Sequence, residues 1–251
     1  MKFRPLVCAL ALLASGGLAA SVTEEETFSF TLNDGGRFSV SNVNGSITVT
    51  GGSGNNVEIV AVKKADNQDE LDEIEVKISH SDDAISIETD LSESDSWYSH
   101  DNNSGSVRYE IIVPTGTHLK SVETVNGDVE ISGVSGNVTA ETVNGDLELT
   151  GLAADAGLCT VNGSINASFN KLEGQQRVKA ETVNGRVTIT LPSNADASVS
   201  ADSLNGSISG RDFGLETDEG FVGSDLNGEI GDGSARLNID TVNGSIKIRS
   251  D

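Results

Sequence analysis

The 251-residue chain has two cysteines, three prolines, one tryptophan, two tyrosines and three histidines, which leaves several chemistries without material. Cys8 lies in an N-terminal leader, so Cys159 is the only cysteine expected in the mature protein and no intrachain disulfide can brace it. Its stability must come from packing and backbone pairing. Aromatic residues make up only 4% of the chain, which gives little surface for stacking on bases or sugars. Basic residues are also scarce, with 16 Lys and Arg against 39 Asp and Glu and a net charge of −23. Such a field repels phosphate and argues against nucleic acid or anionic lipid as partners. His80, His100 and His118 are not spaced with Cys, Asp or one another in the manner of metal ligands. Nucleophile elbow, P-loop and dinucleotide fingerprint are all absent, so the sequence supplies no catalytic residue and no cofactor site, and a non-enzymatic protein is expected.

What is present begins with residues 1–20, "MKFRPLVCALALLASGGLAA". Lys2 and Arg4, an apolar run from Leu6 to Leu13 and small residues up to Ala20 follow the order of a secretory signal peptide. The apolar run is too short for a permanent membrane span, and no later run is apolar enough to be one. The expectation is an exported protein, in the periplasm, on the outer surface or secreted. Losing Lys2 and Arg4 with the leader moves the net charge from −23 to −25.

The dominant feature is repetition. Asn-Gly occurs at Asn44, Asn126, Asn144, Asn162, Asn184, Asn205, Asn227 and Asn243, and from Asn126 the steps are 18, 18, 22, 21, 22 and 16 residues. A half-period of nine also shows. Val129, Val138, Leu147, Ala156 and Ile165 form one apolar or small series, Ile131, Ala140, Leu149, Leu158 and Ala167 a second, and Val125, Val134, Val143, Leu152 and Val161 a third. Between them, Val129-Glu130-Ile131 and Leu147-Glu148-Leu149 alternate apolar with charged residues, the pattern of a strand with one buried face. Asn and Gly tolerate positive φ, so each Asn-Gly is read as a turn or corner.

Two architectures accommodate nine-residue strand-and-turn units. In an antiparallel meander, residues eighteen apart lie two strands apart, roughly 9.5 Å; in a β-solenoid they stack at about 4.8 Å. Near-identity at eighteen (Thr124, Thr142 and Thr160; Asn126, Asn144 and Asn162) favours stacking, because aligned Asn amides bond from rung to rung. The expected fold is therefore all-β, a single-stranded parallel β-solenoid with about 18–22 residues per coil. Residues 21–120 would form N-terminal strands or a cap, with one looser unit at 38–51, and residues 121–251 the repeat solenoid. The longer steps from Asn162 to Asn227 are read as coils with a few extra loop residues. Residues 66–74, "DNQDELDEI", are the one place for a helical turn.

The run "VRYEIIVPTGTHLKSVETVNGDVEISGVSGNVTAETVNGDLELTG", with later Asn-Gly units and "ITLPSNADASVSADSLNGSI", resembles a bacterial family of β-strand-repeat proteins of unassigned function that goes by the name "putative adhesin". The resemblance runs from about Phe28 to the C-terminus. It implies a stacked β-fold in an exported protein and an adhesin or surface-display role.

Two groups of residues are candidates for binding. Stacking would set Asp128 over Asp146 and Glu130 over Glu148, where like charges at rung spacing invite bridging by calcium. Trp97 and Tyr98, on a polar Gly/Asn/Ser-rich segment, could grip a sugar or a partner protein. The leading functional expectation is an envelope or secreted module that binds an envelope protein or glycan through a long acidic surface. The alternatives are an envelope structural or sensory component acting through a membrane partner, and a polysaccharide-acting β-helix enzyme.

Overall fold

A computed structural model of the chain describes residues 8–10, 21–91, 105–220 and 223–251. Of the expected leader only Cys8–Leu10 falls within these residues, paired antiparallel along Val22–Thr31. Trp97 and Tyr98 lie outside the described residues. About two-thirds of what is described is strand. The helical pieces among the described residues are one turn at Gln68–Asp72 and a 3-10 turn at Arg211–Phe213. Asn67 caps the first, its side chain accepting the Glu70 amide at 3.0 Å, so the polar run at 66–74 forms the helical turn expected there. No helix among the described residues is long and apolar enough to cross a membrane.

Two eleven-stranded sheets enclose one apolar core. Each repeat contributes one strand to each sheet. Val138–Asn144 lies in the second sheet, the chain turns a corner at Asn144-Gly145, and Leu147–Leu152 continues in the first. Alternation then divides the side chains: Val129, Leu147, Ile165 and Val187 turn inward and are fully buried, while Glu130 and Glu148 between them point outward. Burying each such aliphatic contributes about 1.5–3 kcal/mol. Equivalent residues of successive repeats are parallel neighbours: Asn144 pairs in register with Asn126 on one side and Asn162 on the other. A meander would interpose an antiparallel strand between them, so over the repeat the stacked arrangement is the one adopted.

A single parallel solenoid does not describe the whole molecule, because both sheets are mixed. At the N-terminal end Asn56–Ala65 runs antiparallel to both its neighbours in the first sheet, Val22–Thr31 and Ser106–Pro114, and Ile74–Ser81 is antiparallel to Ala84–Leu91 in the second. At the C-terminal end Ser224–Ile230 is antiparallel to Ala197–Asn205, with Asp218–Glu219 outside it. The physical reason lies in connection length. A parallel neighbour requires the chain to travel round a full rung, whereas a short turn such as Asp82-Asp83 returns it antiparallel and covers an open edge at once.

Rung order is a second departure. From the N-terminal side the rungs stack as 37–52, 118–132, 138–152, 156–169, 177–191, 235–250 and 197–209. The C-terminal rung is thus inserted between two that precede it in sequence, and the long steps after Asn184 reflect an excursion and return rather than coils with swollen loops. Asn227 is corrected with them. It is no corner: it sits inside Ser224–Ile230, opposite Ser200, whose hydroxyl donates to its side-chain oxygen at 2.9 Å.

Candidate functional site on the outer face of the second sheet

The Thr-Val-Asn-Gly motif resolves into four separate jobs. The Thr points inward and donates its hydroxyl to the glycine carbonyl of the neighbouring rung: Thr142 to Gly127 at 2.9 Å, Thr160 to Gly145 and Thr182 to Gly163 at 3.0 Å. Ser203 does the same towards Gly244. The Asn side chains form one continuous ladder, Asn44–Asn126–Asn144–Asn162–Asn184–Asn243–Asn205, in which each amide from Asn126 onward donates to the side-chain oxygen of the Asn before it in this order, at 2.8–3.0 Å. Glycine is needed because the corners nearly touch. A Cβ on Gly145 would stand 1.9 Å from the Gly127 carbonyl oxygen, and one on Gly185 would stand 1.8 Å from that of Gly163. Positive φ is not the reason, since among these corner glycines only Gly45 adopts it.

The Val has the remaining job, and it faces solvent. Val43, Val125, Val143, Val161, Val183, Val242 and Leu204 form an unbroken apolar ridge down the outer face of the second sheet, each between 36% and 52% exposed. The third nine-residue series therefore splits. Val134 and Leu152 are buried in the core, but their partners at the Asn-Gly corners are not.

Two residues earlier on each of these strands, on the same outward face, runs a second row. Parallel register aligns Ser41, Glu123, Glu141, Cys159, Glu181, Asp240 and Asp202, and the antiparallel strands extend it through Asp225 to Asp218. Five adjacent strands at the C-terminal end thus each contribute a carboxylate. Lys179 reaches Glu181 at 2.8 Å. Burial, then Glu181 and Asp202, push the Asp240 carboxyl above its ordinary range. Cys159 is half-buried, and burial followed by Glu141 and Glu181 raises its thiol, which suits a structural side chain rather than a nucleophile.

The sequence-predicted acidic column lies round the corner, in the first sheet. Glu130 and Glu148 are aligned there and exposed. Asp128 accepts the Asp146 amide at 2.8 Å, and Asp146 accepts the Ser164 amide at 2.6 Å, so each places one carboxylate oxygen on the corner backbone of the next rung. Among the described residues no group of three or more His, Cys, Asp or Glu is disposed to hold a metal ion. The sequence reading missed the Glu181–Asp225 row because half of its members come from strands whose neighbours are distant in the chain.

A family model, Toastrack DUF4097, matches residues 16–249. The chain belongs to that family. Two solved structures are similar to this Toastrack chain. A "putative cell adhesion protein" from Clostridium sporogenes is 14% identical, with 90% of this chain and 100% of that one covered, at a TM-score of 0.47. A "putative adhesin" from Bacteroides fragilis is also 14% identical, with 89% and 96% covered, at a TM-score of 0.43. Neither is described as an enzyme. No curated protein matches the Toastrack chain.

Proposed function

We propose that the protein is an exported, non-enzymatic, adhesin-like module of the cell envelope that binds a partner through the outer face of its second sheet. The observation that supports this reading is the ridge. Outward strand positions normally carry polar residues when the face meets only water, yet six valines and one leucine occupy seven successive rungs here. A contiguous apolar strip with a charged margin is the ordinary composition of an interaction surface. The similar proteins with adhesion in their names fit this reading without carrying it.

Fractionation of cells expressing the tagged full chain should place it outside the cytoplasm. Cross-linked capture from envelope extracts should recover partners that are lost when Val143 and Val183 are both changed to Asp. A chain retained in the cytoplasm, or a set of partners unchanged by charging the ridge, would overturn the reading.

A further inference from the structure

We propose that the C-terminal end of this face is a groove for a basic amphipathic helix of a partner protein, an inference that rests on the binding role just given. The ridge and the carboxylate row run side by side, and near the C-terminal end of the stack they bound a cavity of about 560 Å³. Val161, Val183, Val242 and Leu204 form its apolar side. Glu181, Asp240, Asp202 and Asp225 form its acidic side, and Gly223 and Ser224 close its end. Among the described residues no Lys or Arg lines it, and Lys179, on the strand of Glu181, is already paired with Glu181. The groove therefore presents aliphatic surface along one edge and, along the other, three carboxylates outside the Lys179–Glu181 pair: Asp240, Asp202 and Asp225. Its chemical complement carries an aliphatic stripe beside a Lys or Arg stripe.

Spacing selects the shape of that complement. From Val183 to Leu204 successive rungs offer one apolar and one acidic side chain about every 4.8 Å, and the Val161 rung adds an apolar side chain beside Cys159. An α-helix laid along the groove repeats about every 5.4 Å per turn, so one aliphatic and one basic residue per turn meet each rung in sequence. An extended chain repeats same-face side chains only about every 6.8 Å. Over the three steps from Val161 to Leu204 the helix drifts by about 2 Å and the extended chain by about 6 Å. Only the helix keeps step. The raised Asp240 carboxyl is consistent with this geometry: burial raises it first, and a Lys or Arg placed beside it would offset the smaller part due to Glu181 and Asp202.

The test is fluorescence anisotropy of a labelled Leu/Lys amphipathic helical peptide of about four turns with the full chain, beside a peptide of the same composition broken by a central proline. The helical peptide should bind saturably at one per chain, and the proline peptide about tenfold more weakly. Leu204→Asp and Val242→Asp should each weaken binding about tenfold, whereas Val125→Asp, far along the ridge, should leave it unchanged. Both groove side chains are exposed, so these variants keep the core. Changing Asp202 and Asp240 together to Asn should flatten the salt dependence. Equal binding of the proline peptide, or indifference to Leu204→Asp and Val242→Asp, would overturn the proposal. Envelope capture lost on charging Val143 and Val183, with no groove-dependent peptide binding, would overturn this inference alone and leave the broader binding role standing.

Discussion

Rungs 138–152 and 156–169 follow each other in the chain and in space, whereas rungs 197–209 and 235–250 exchange places. The middle of the molecule is built by winding. After Leu191 the chain leaves a vacant position, builds the outer rung with Ala197–Asn205, covers it with Ser224–Ile230, and returns to fill the gap with Ala235–Asn243. The order sets the bulkier side chains inside: Leu237 and Ile239 lie beside Val178 and Ala180, while the slimmer Ala197, Val199 and Ala201 lie one rung further towards the C-terminal end of the stack. There Leu215 sits over Gly210 and Gly228, where added methyl groups would collide with it. The comparison shows that a repeat can specify a rung completely and leave its neighbour unspecified.

Deleting residues 235–251 should break the comparison most severely. It removes the partner of both 177–191 and 197–209, so hydrogen-exchange protection of 197–230 should collapse while 118–169 stays protected. Retained protection in 197–230 would mean that Asn205 can restack on Asn184 and that the two C-terminal rungs are interchangeable. Next in size is the winding region's dependence on close approach. Gly145→Ala should cost about 3–5 kcal/mol in denaturant unfolding, because backbone rather than a side chain must move. Gly174→Ala, at a left-handed φ of 68° with open space around it, should cost only about 1 kcal/mol.

A smaller contrast separates the ladder from its one outlier. Asn144→Ala removes two amide bonds from the middle of the ladder and should cost about 1 kcal/mol, against less than about 0.5 kcal/mol for Asn227→Ala. The smallest effects concern charge at the C-terminal end. Asp196 accepts from the hydroxyl and amide of Ser234, and these bonds, first the hydroxyl and then the amide, lower its carboxyl below the ordinary value. Its contribution is therefore present above the unfolded pKa and lost as pH falls through the lowered folded value. Exchange of the 231–234 loop should quicken below about pH 4, and less so in Asp196→Asn. Asp240 has the opposite sign. Its raised carboxyl disfavours the folded state at neutral pH and ceases to do so on protonation, so Asp240→Asn should raise the melting temperature slightly at pH 7 and not at acid pH.

Much of this was legible before the fold was seen. Identity at eighteen residues marked Thr124, Thr142 and Thr160 and the Asn column as stacked, because only neighbours in space gain from being alike. Period two separated Val129 from Glu130. The role of the corner glycine was misread, since a sequence shows which residues tolerate positive φ but not how closely two corners approach. The exposed ridge was hidden for a related reason: Val143 and Val134 look alike in sequence, and only the position of the corner turns one outward. Asn227 carried the right dipeptide in a strand that pairs antiparallel, where no corner forms.

The sequence by itself determined the rung: two short strands, a Thr-Val-Asn-Gly corner, an apolar inside and an acidic outside. These follow from interactions between residues close in the chain or one period apart. Tertiary structure decided which rungs touch, where the stack stops being parallel, and that Glu181, Asp240, Asp202 and Asp225 stand beside four exposed aliphatic residues. Rungs with the same local pattern are equivalent to any local rule. The choice among them rests on contacts between residues far apart in the chain, including the antiparallel strands that cover the ends of the two sheets.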